Sequence, residues 1–175
     1  MKAISLLSLI VLASPSYGQC LTGALAIIDH PTCTGGEFGN AIALDGDTLV
    51  VGDWVDNGFR GAAHIFQRTG TQWMAVQELN SNENLTNLRF GVDVAIDGDR
   101  AVVGAMRAPN RGAAFVFERT GTNWILTAKL TDPIGPALTS FGSSVDVQGD
   151  WIVVGEPRDG LDEGAVHFFH YDGTN

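Results

Sequence analysis

Eight residues on varied loops are the candidates for contact with a ligand in this chain of 175 residues. Binding residues concentrate on variable loops that a rigid scaffold holds, and such loops follow the repeated strands described below. The chemistry that these side chains offer is non-covalent recognition through rings and charges. The alternative is that they are ordinary solvated loop residues. The eight candidates are Trp54, Asp56, Phe59, Arg60, Arg107, Arg111, Arg158 and Asp159.

Catalytic motifs are not found along the chain. It has no Gly-x-Ser-x-Gly nucleophile motif, no His-Glu-x-x-His and no Walker loop. The four histidines show no metal-ligand spacing, and two of them occupy the same position in two repeats, which indicates a role within a strand. A carboxylate pair formed across loops stays open, because the sequence cannot place it. We therefore expect no enzyme activity and no cofactor. The histidines are His30, His64, His167 and His170.

Cys20 and Cys33 are the only cysteines. In an exported protein a disulfide between them would close a small loop, and two unbonded thiols are the alternative. A metal site needs more ligands than these thiols and the nearby His30, so no metal site is expected. A lipid-anchored Cys20 is disfavoured, because Gln19 stands where a small residue is expected.

A repeat of about 51 residues organises the chain. Phe-Gly opens each copy, at Phe38, Phe90 and Phe141, with spacings of 52 and 51 residues. In the middle copy, residues 97–99 read Asp-Gly-Asp between two β-prone runs, which predicts a tight hairpin. The second strand, at 101–104, has no polar side and is predicted to be covered on both faces. Four antiparallel strands per copy predict an all-β fold of β-propeller-type blades.

Strand direction alternates within a blade, so the turns after the first and third strands share one face. The loops after the second and fourth strands share the other face. The turns are tight and repetitive, whereas the loops are long and varied, and the candidate ligand-binding residues belong to the loops. These loops are 53–60, 105–111 and 156–163, with crossovers at 80–89 and 131–140.

The N-terminus has the features of a secretory signal peptide: Lys2, an apolar run, and small residues before a cut at Gln19. We therefore expect a secreted, extracellular or periplasmic protein. The apolar run is too short for a bilayer, which needs ~20 residues, so no membrane span is expected. A net charge of −10 argues against nucleic acid and anionic membranes as partners. The expected organisation is a signal peptide at 1–18, an N-terminal segment at 19–37, and repeats at 38–89, 90–140 and 141–175, the last one truncated.

Leu25 to Ile28 is predicted to be a strand, because it precedes Phe38 by the interval at which fourth strands precede later Phe-Gly pairs. It would be the outer strand of a blade that is split between the chain ends. The total is then about three blades, whereas closed propellers have roughly 4–8. Three outcomes stay open: a fragment of a longer propeller, which is favoured; a ring closed by self-association through open blade edges; or blades that remain open.

The pattern FG…DGD…VVGA…GAAFVF resembles the FG-GAP repeat of integrin α-chain propellers and of many bacterial exported proteins. It covers Phe38 to Asn175. The resemblance implies an incomplete β-propeller that serves extracellular recognition or adhesion, with a protein or glycan as ligand. The alternative is the non-catalytic propeller part of a larger secreted enzyme, such as a glycoside hydrolase. The fold alone does not identify the partner.

The resemblance departs from the family at the calcium loop, which in integrin repeats is a longer Asp/Asn-rich loop between the first two strands. Here that loop is reduced to 45–47, 97–99 and 148–150, whereas calcium needs roughly six to eight oxygens. We expect these aspartates to form turns and not to bind calcium. Residues 69–73 and 120–124 are faintly similar to the Asp-box of sialidase propellers, but they lack its Ser and Asp. They predict a hairpin turn followed by a core-facing Trp.

Overall fold

The computed structural model describes residues 27–31, 36–109, 111–132, 139–157 and 163–172. Within them the chain forms eleven strands in three antiparallel sheets, which confirms the predicted all-β fold of propeller-type blades. Blade 1 consists of β1 (Ile42–Asp45), β2 (Thr48–Asp53), β3 (Ala62–Thr69) and β4 (Gln72–Leu79). Blade 2 consists of β5 (Phe90–Asp97), β6 (Arg100–Ala105), β7 (Ala113–Thr120) and β8 (Asn123–Leu130). Blade 3 consists of β9 (Ser144–Gln148), β10 (Trp151–Glu156) and β11 (Ala165–His170).

The Asp-Gly-Asp segments form tight hairpins, as the sequence predicts. In blade 1 Asp45 pairs with Thr48, which leaves a two-residue turn in which Gly46 has a φ of +54°. The first aspartate of each segment also reaches the next blade. Asp45 Oδ2 accepts a hydrogen bond from Gly98 N at 2.7 Å, and Asp97 Oδ2 accepts one from Gly149 N at 2.5 Å. These carboxylates therefore connect the hairpins of successive blades.

The hydrophobic core lies between the blades. The side chains of Val103 and Phe90 belong to the cluster between blades 1 and 2, whereas Val102 and Phe141 belong to the cluster between blades 2 and 3. All four are fully buried. Because adjacent residues of β6 face opposite clusters, the second strand of blade 2 is covered on both faces, as its apolar sequence predicts.

Paired glycines set the spacing of neighbouring blades. A Cβ atom on Gly52 would lie 2.2 Å from Gly91 O, and one on Gly104 would lie 2.2 Å from Gly142 O. Gly91 and Gly142 are the glycines of the Phe-Gly pairs, and both adopt positive φ angles. Gly52 with Gly91, and Gly104 with Gly142, therefore bring the backbones of successive blades to distances that no side chain permits.

The prediction of a core-facing tryptophan is confirmed for Trp124, which is 4% exposed, but Trp73 is only half-buried. The difference comes from the preceding blade. The Gln77 amide of blade 1 accepts a hydrogen bond from Trp124 N at 2.8 Å and donates one to Trp124 O at 2.7 Å. Blade 1 has no such neighbour among the described residues.

The predicted N-terminal strand is only partly within the described residues. Leu25 and Ala26 lie outside them, and Ile27 and Ile28 are not in a strand. The predicted signal peptide at 1–18 also lies outside them. The only described helix is α1 (Asp56–Phe59), a single distorted turn, so no described helix is long and apolar enough to cross a membrane.

Candidate functional site

The described varied loops lie together at one end of the blades, opposite the Asp-Gly-Asp hairpins. We call this end the loop face and define it by residues 54–61, 80–89, 105–109 and 111–112. The antiparallel order of each sheet places these segments there, because they connect the ends of second and third strands or of successive blades. Residues 133–138 and 158–162, in the other varied loops, lie outside the described residues.

Trp54 is the centre of the loop face in blade 1. The Arg89 guanidinium stacks over its indole ring at 4.5 Å from the ring centroid, and the Phe59 ring lies 5.7 Å away. The indole Nε1–H donates a hydrogen bond to Glu37 Oε2 at 2.9 Å. Trp54 is therefore held on three sides, while the Phe59 side chain is 45% exposed.

The backbone around Phe59 is unusual. Phe59 has a φ of +65°, and Asn57 and Gly58 before it have φ angles of +51° and +72°. A bulky side chain in the left-handed region costs about 1–2 kcal/mol, because its Cβ approaches the carbonyl oxygen. The Phe59 carbonyl accepts a hydrogen bond from Arg89 N at 3.1 Å. The loop thus holds an exposed ring in a conformation that glycine would adopt more readily.

Arginines on the two ends of the blades differ in their partners. On the hairpin end they pair with carboxylates: Arg68 with Asp47, Arg119 with Asp99, and Arg100 with Glu118 and Asp150. On the loop face, the part of the chain that the structure describes contains no ion pair to Arg60, Arg89 or Arg107. Burial, and then repulsion from Arg107, lowers the pKa of Arg89. Arg89 also lies near the Glu37 carboxylate, but none of these three arginines has a described carboxylate within ion-pair distance.

The structure brings together some of the predicted ligand-binding residues. Trp54, Phe59, Arg60 and Arg107 lie on the loop face, the last two of them exposed. Arg111 is half-buried, and its Nη1 donates a hydrogen bond to Asp132 O at 3.2 Å. Asp56 points inward and is 7% exposed. Arg158 and Asp159, like Cys20 and Cys33, lie outside the described residues.

A second cluster of polar side chains is buried beneath the Trp54 loop. Asp53, at the end of β2, is fully buried. Its Oδ1 accepts hydrogen bonds from the backbone N–H groups of Glu37, Val55 and Asp56, at 2.9, 3.3 and 3.2 Å. Its Oδ2 is buried, has no hydrogen-bond partner in the described part of the chain, and lies 3.8 Å from His30 Nε2. One oxygen is therefore fixed by the loop, and the other faces the histidines.

His64 of β3 forms the other side of this cluster. It is 4% exposed, and its buried Nε2 has no hydrogen-bond partner among the residues that the structure describes. Burial, followed by the nearby His30, lowers its pKa, so the imidazole is neutral near pH 7. The rings of His30 and His64 meet edge to face at 4.7 Å. Ligand atoms of His30, Asp56 and His64 all lie within 4.8 Å of one another.

Blade 3 carries a related pair at the equivalent positions. Glu156 ends β10 as Asp53 ends β2, and His167 occupies the position of His64. Glu156 Oε2 and His167 Nε2 are in direct contact at 2.6 Å. Sequence reasoning considered the histidines alone and missed the acidic partners. The sequence did contain a signal, because the two positions change together between repeats. Repeats 1 and 3 have an acidic residue and a histidine there, whereas repeat 2 has alanine and phenylalanine.

Both outer blades expose apolar surface. On blade 1, Ile42 and Leu44 are 69% and 62% exposed, and on blade 3, Val166 and Phe168 are 60% and 68% exposed. At the equivalent positions in blade 2, Val94, Ala114 and Val116 are buried against the neighbouring blades, and Ile96 is partly buried. A groove of about 730 Å³ also lies between blades 2 and 3, beside β11, the last described strand of blade 3.

Comparison with known proteins agrees with this architecture. No curated protein matches the chain. The sequence model described as FG-GAP repeat matches residues 32–66, 73–117 and 124–169, which together exceed half of the chain. Each match contains one Phe-Gly pair and the hairpin that follows it. The three matches follow one another along the chain, as the three sheets do. The chain therefore belongs to the FG-GAP repeat family.

Proposed function

We propose that this protein is an exported, non-catalytic recognition module that binds an anionic extracellular glycan through its loop face. The observation that carries the proposal is the charge distribution of the loop face. Arg60, Arg89 and Arg107 lie there without ion pairs to other described residues, beside the exposed Phe59 ring, in a chain of net charge −10. Such local positive potential on an acidic protein favours an anionic ligand.

The side chains suit the carboxylate or sulfate groups of an acidic polysaccharide. A guanidinium binds such a planar or tetrahedral anion through two parallel N–H donors. The exposed Phe59 ring offers a flat apolar surface next to these donors. Membership of the FG-GAP repeat family supports a binding role, since these repeats form propeller-type modules that often mediate binding. The rigid blades hold the loops in place, and the contacts of Trp54 order the surface before a ligand arrives.

The test measures binding of the chain to a panel of sulfated, carboxylated and neutral polysaccharides at low and high salt. We expect saturable binding to acidic members only, which weakens as salt screens the charges. Arg107→Ala should weaken binding roughly 5- to 30-fold, as expected for loss of a central contact. Arg68→Ala is the matched control, because Arg68 lies on the hairpin end and pairs with Asp47. We expect the polysaccharides to be recovered uncleaved.

Phe59→Gly separates loss of binding from loss of folding. Glycine adopts the φ of +65° without strain, which offsets the lost contact with Trp54. Stability should therefore change by only about 1 kcal/mol, while affinity for the polysaccharide falls. Unchanged affinity in both Arg107→Ala and Phe59→Gly would refute the proposed site. Binding of an acidic protein, with no affinity for any polysaccharide, would refute the glycan as ligand.

A further inference from the structure

We propose that His30, His64, Asp53 and Asp56 form a binding site for one divalent transition-metal ion, for which zinc is the best fit. The four residues come from three separate parts of the chain. His30 belongs to the N-terminal segment, His64 to β3, and the two aspartates to the end of β2 and the loop after it. The site is distinct from the hairpin turns at which FG-GAP relatives are expected to bind calcium.

The geometry is close to that of a coordinated ion. Ligand atoms of His30, His64 and Asp56 lie within 4.8 Å of one another. Around a tetrahedral zinc ion with bonds of ~2.0–2.1 Å, neighbouring ligand atoms are about 3.3 Å apart. Small side-chain rotations close this difference. Asp53 lies outside this cluster of three, but its Oδ2 is 3.8 Å from His30 Nε2, and we assign it as the fourth ligand.

The burial of unsatisfied polar atoms points independently to a missing partner. Asp53 Oδ2 and His64 Nε2 make no hydrogen bond to any described residue, and their residues are only 0% and 4% exposed. Leaving such atoms unsatisfied is costly, and native proteins rarely do so. A cation between them would satisfy the carboxylate oxygen and the imidazole nitrogen together.

The kind of ion follows from the ligand types. Two imidazoles with carboxylates suit zinc and similar transition metals, whereas calcium and magnesium take mostly oxygen ligands. The second shell is already formed. Asp53 Oδ1 is held by three backbone N–H groups, and both Asp56 oxygens accept hydrogen bonds from Asn57, at 2.7 and 3.0 Å. Such outer contacts orient metal ligands.

The ion would connect the segment that carries His30 to blade 1. His30 and Phe38 pack against His64, with ring centroids 4.7 and 5.6 Å from it. This face of blade 1 corresponds to the face through which blades 2 and 3 contact the blade before them. The metal would therefore stabilise the first blade at the place where it has no preceding blade among the described residues.

The test is calorimetric titration of the metal-free full chain with zinc chloride, with calcium chloride in a parallel experiment. We expect zinc to bind with a stoichiometry of one and to raise the melting temperature, and calcium to do neither. A cobalt(II)-loaded sample should show the visible absorption of a tetrahedral site. His64→Phe and His30→Ala should weaken zinc binding by more than the roughly 10- to 100-fold typical of an outer-shell loss.

Two features keep the test decisive. His64→Phe introduces the residue that repeat 2 has at the equivalent position, Phe115, and His30 lies outside the sheets, so both variants should fold. His167→Phe is the matched control, because His167 Nε2 already contacts Glu156 Oε2 at 2.6 Å, whereas His64 Nε2 has no hydrogen-bond partner among the described residues. Absence of saturable zinc binding, retention of it in both variants, or its loss in His167→Phe would overturn the proposal.

Discussion

Replacement of Gly104 by alanine tests whether backbone contact sets the spacing of the blades. Gly104 lies near the end of β6, and a Cβ added there would be 2.2 Å from Gly142 O in the next blade. Ordinary contact begins at 3.4 Å, so the two backbones would have to separate by about 1.2 Å, the difference of these distances. Neither atom belongs to a flexible side chain that could rotate away.

The expected cost combines two effects. Forcing extra volume into a packed interface costs about 1–3 kcal/mol. Separation of the blades would also weaken the hydrogen bond from Phe141 N to Arg111 O, now 2.9 Å long, at about 1 kcal/mol. We therefore expect Gly104→Ala to lose about 3 kcal/mol of unfolding free energy, which lowers the melting temperature by about 6–12 °C.

Gly155→Ala is the matched control. Gly155 occupies the same repeat position in blade 3, and like Gly104 it has no positive φ. Its added Cβ would lie 2.1 Å from Ser144 Oγ, but the next atom is 3.5 Å away. Because the hydroxyl can rotate, this variant should change stability by less than about 1 kcal/mol. The assay is chemical denaturation of both variants. Equal costs would refute the view that contact between glycine backbones fixes the distance between blades.

Three further predictions concern contacts between blades. Burial raises the pKa of Asp93, whose Oδ2 accepts a hydrogen bond from Val145 N at 2.8 Å. The folded state therefore holds the proton of the Asp93 carboxyl more tightly than the unfolded state, so stability should fall as pH rises above the ordinary pKa of 3.8 and through the raised pKa. Urea denaturation of Asp93→Asn should show a flatter dependence of stability on pH. An unchanged pH dependence would contradict this cause. Gln77→Ala removes both hydrogen bonds to the Trp124 backbone and should lower the free energy of unfolding by about 2 kcal/mol, measured by thermal melting. A loss of less than about 0.5 kcal/mol would contradict this prediction. The exposed apolar face of blade 3, which includes Phe168, corresponds to a buried face of blade 2, so we expect a second copy of the chain to cover it. Phe168→Glu should therefore lower the solution mass measured by light scattering. An unchanged mass would exclude this contact.

Much of the fold was predictable because its signals are local. Asp97, Gly98 and Asp99 form a tight turn with φ angles that glycine favours, and the apolar run at 101–104 forms a strand that is covered on both faces. Repetition strengthened each signal, since the same turn recurs at the same position in three copies. The failure to predict a half-buried Trp73 has a tertiary cause. The sequence around Trp73 has the same local pattern as the sequence around Trp124, but no described blade precedes blade 1, to which Trp73 belongs.

The candidate site was predicted less completely, because it depends on residues that are distant in sequence. Trp54, Phe59, Arg60 and Arg107 were predicted from their places on varied loops. Arg89 was missed, since it lies at the end of a crossover and reaches Trp54 only after blade 2 packs on blade 1.

The sequence by itself determined the repeated hairpins, the number of described sheets and the end of the blades that carries varied loops. Alternation of strands and the conformational freedom of glycine act over a few residues, so these features can be read locally. Only the tertiary structure decided that His30, Asp56 and His64 cluster beside the buried Asp53, and that Arg89 stacks over Trp54. Such groupings arise from the packing of segments about 10 to 50 residues apart, which no local pattern encodes.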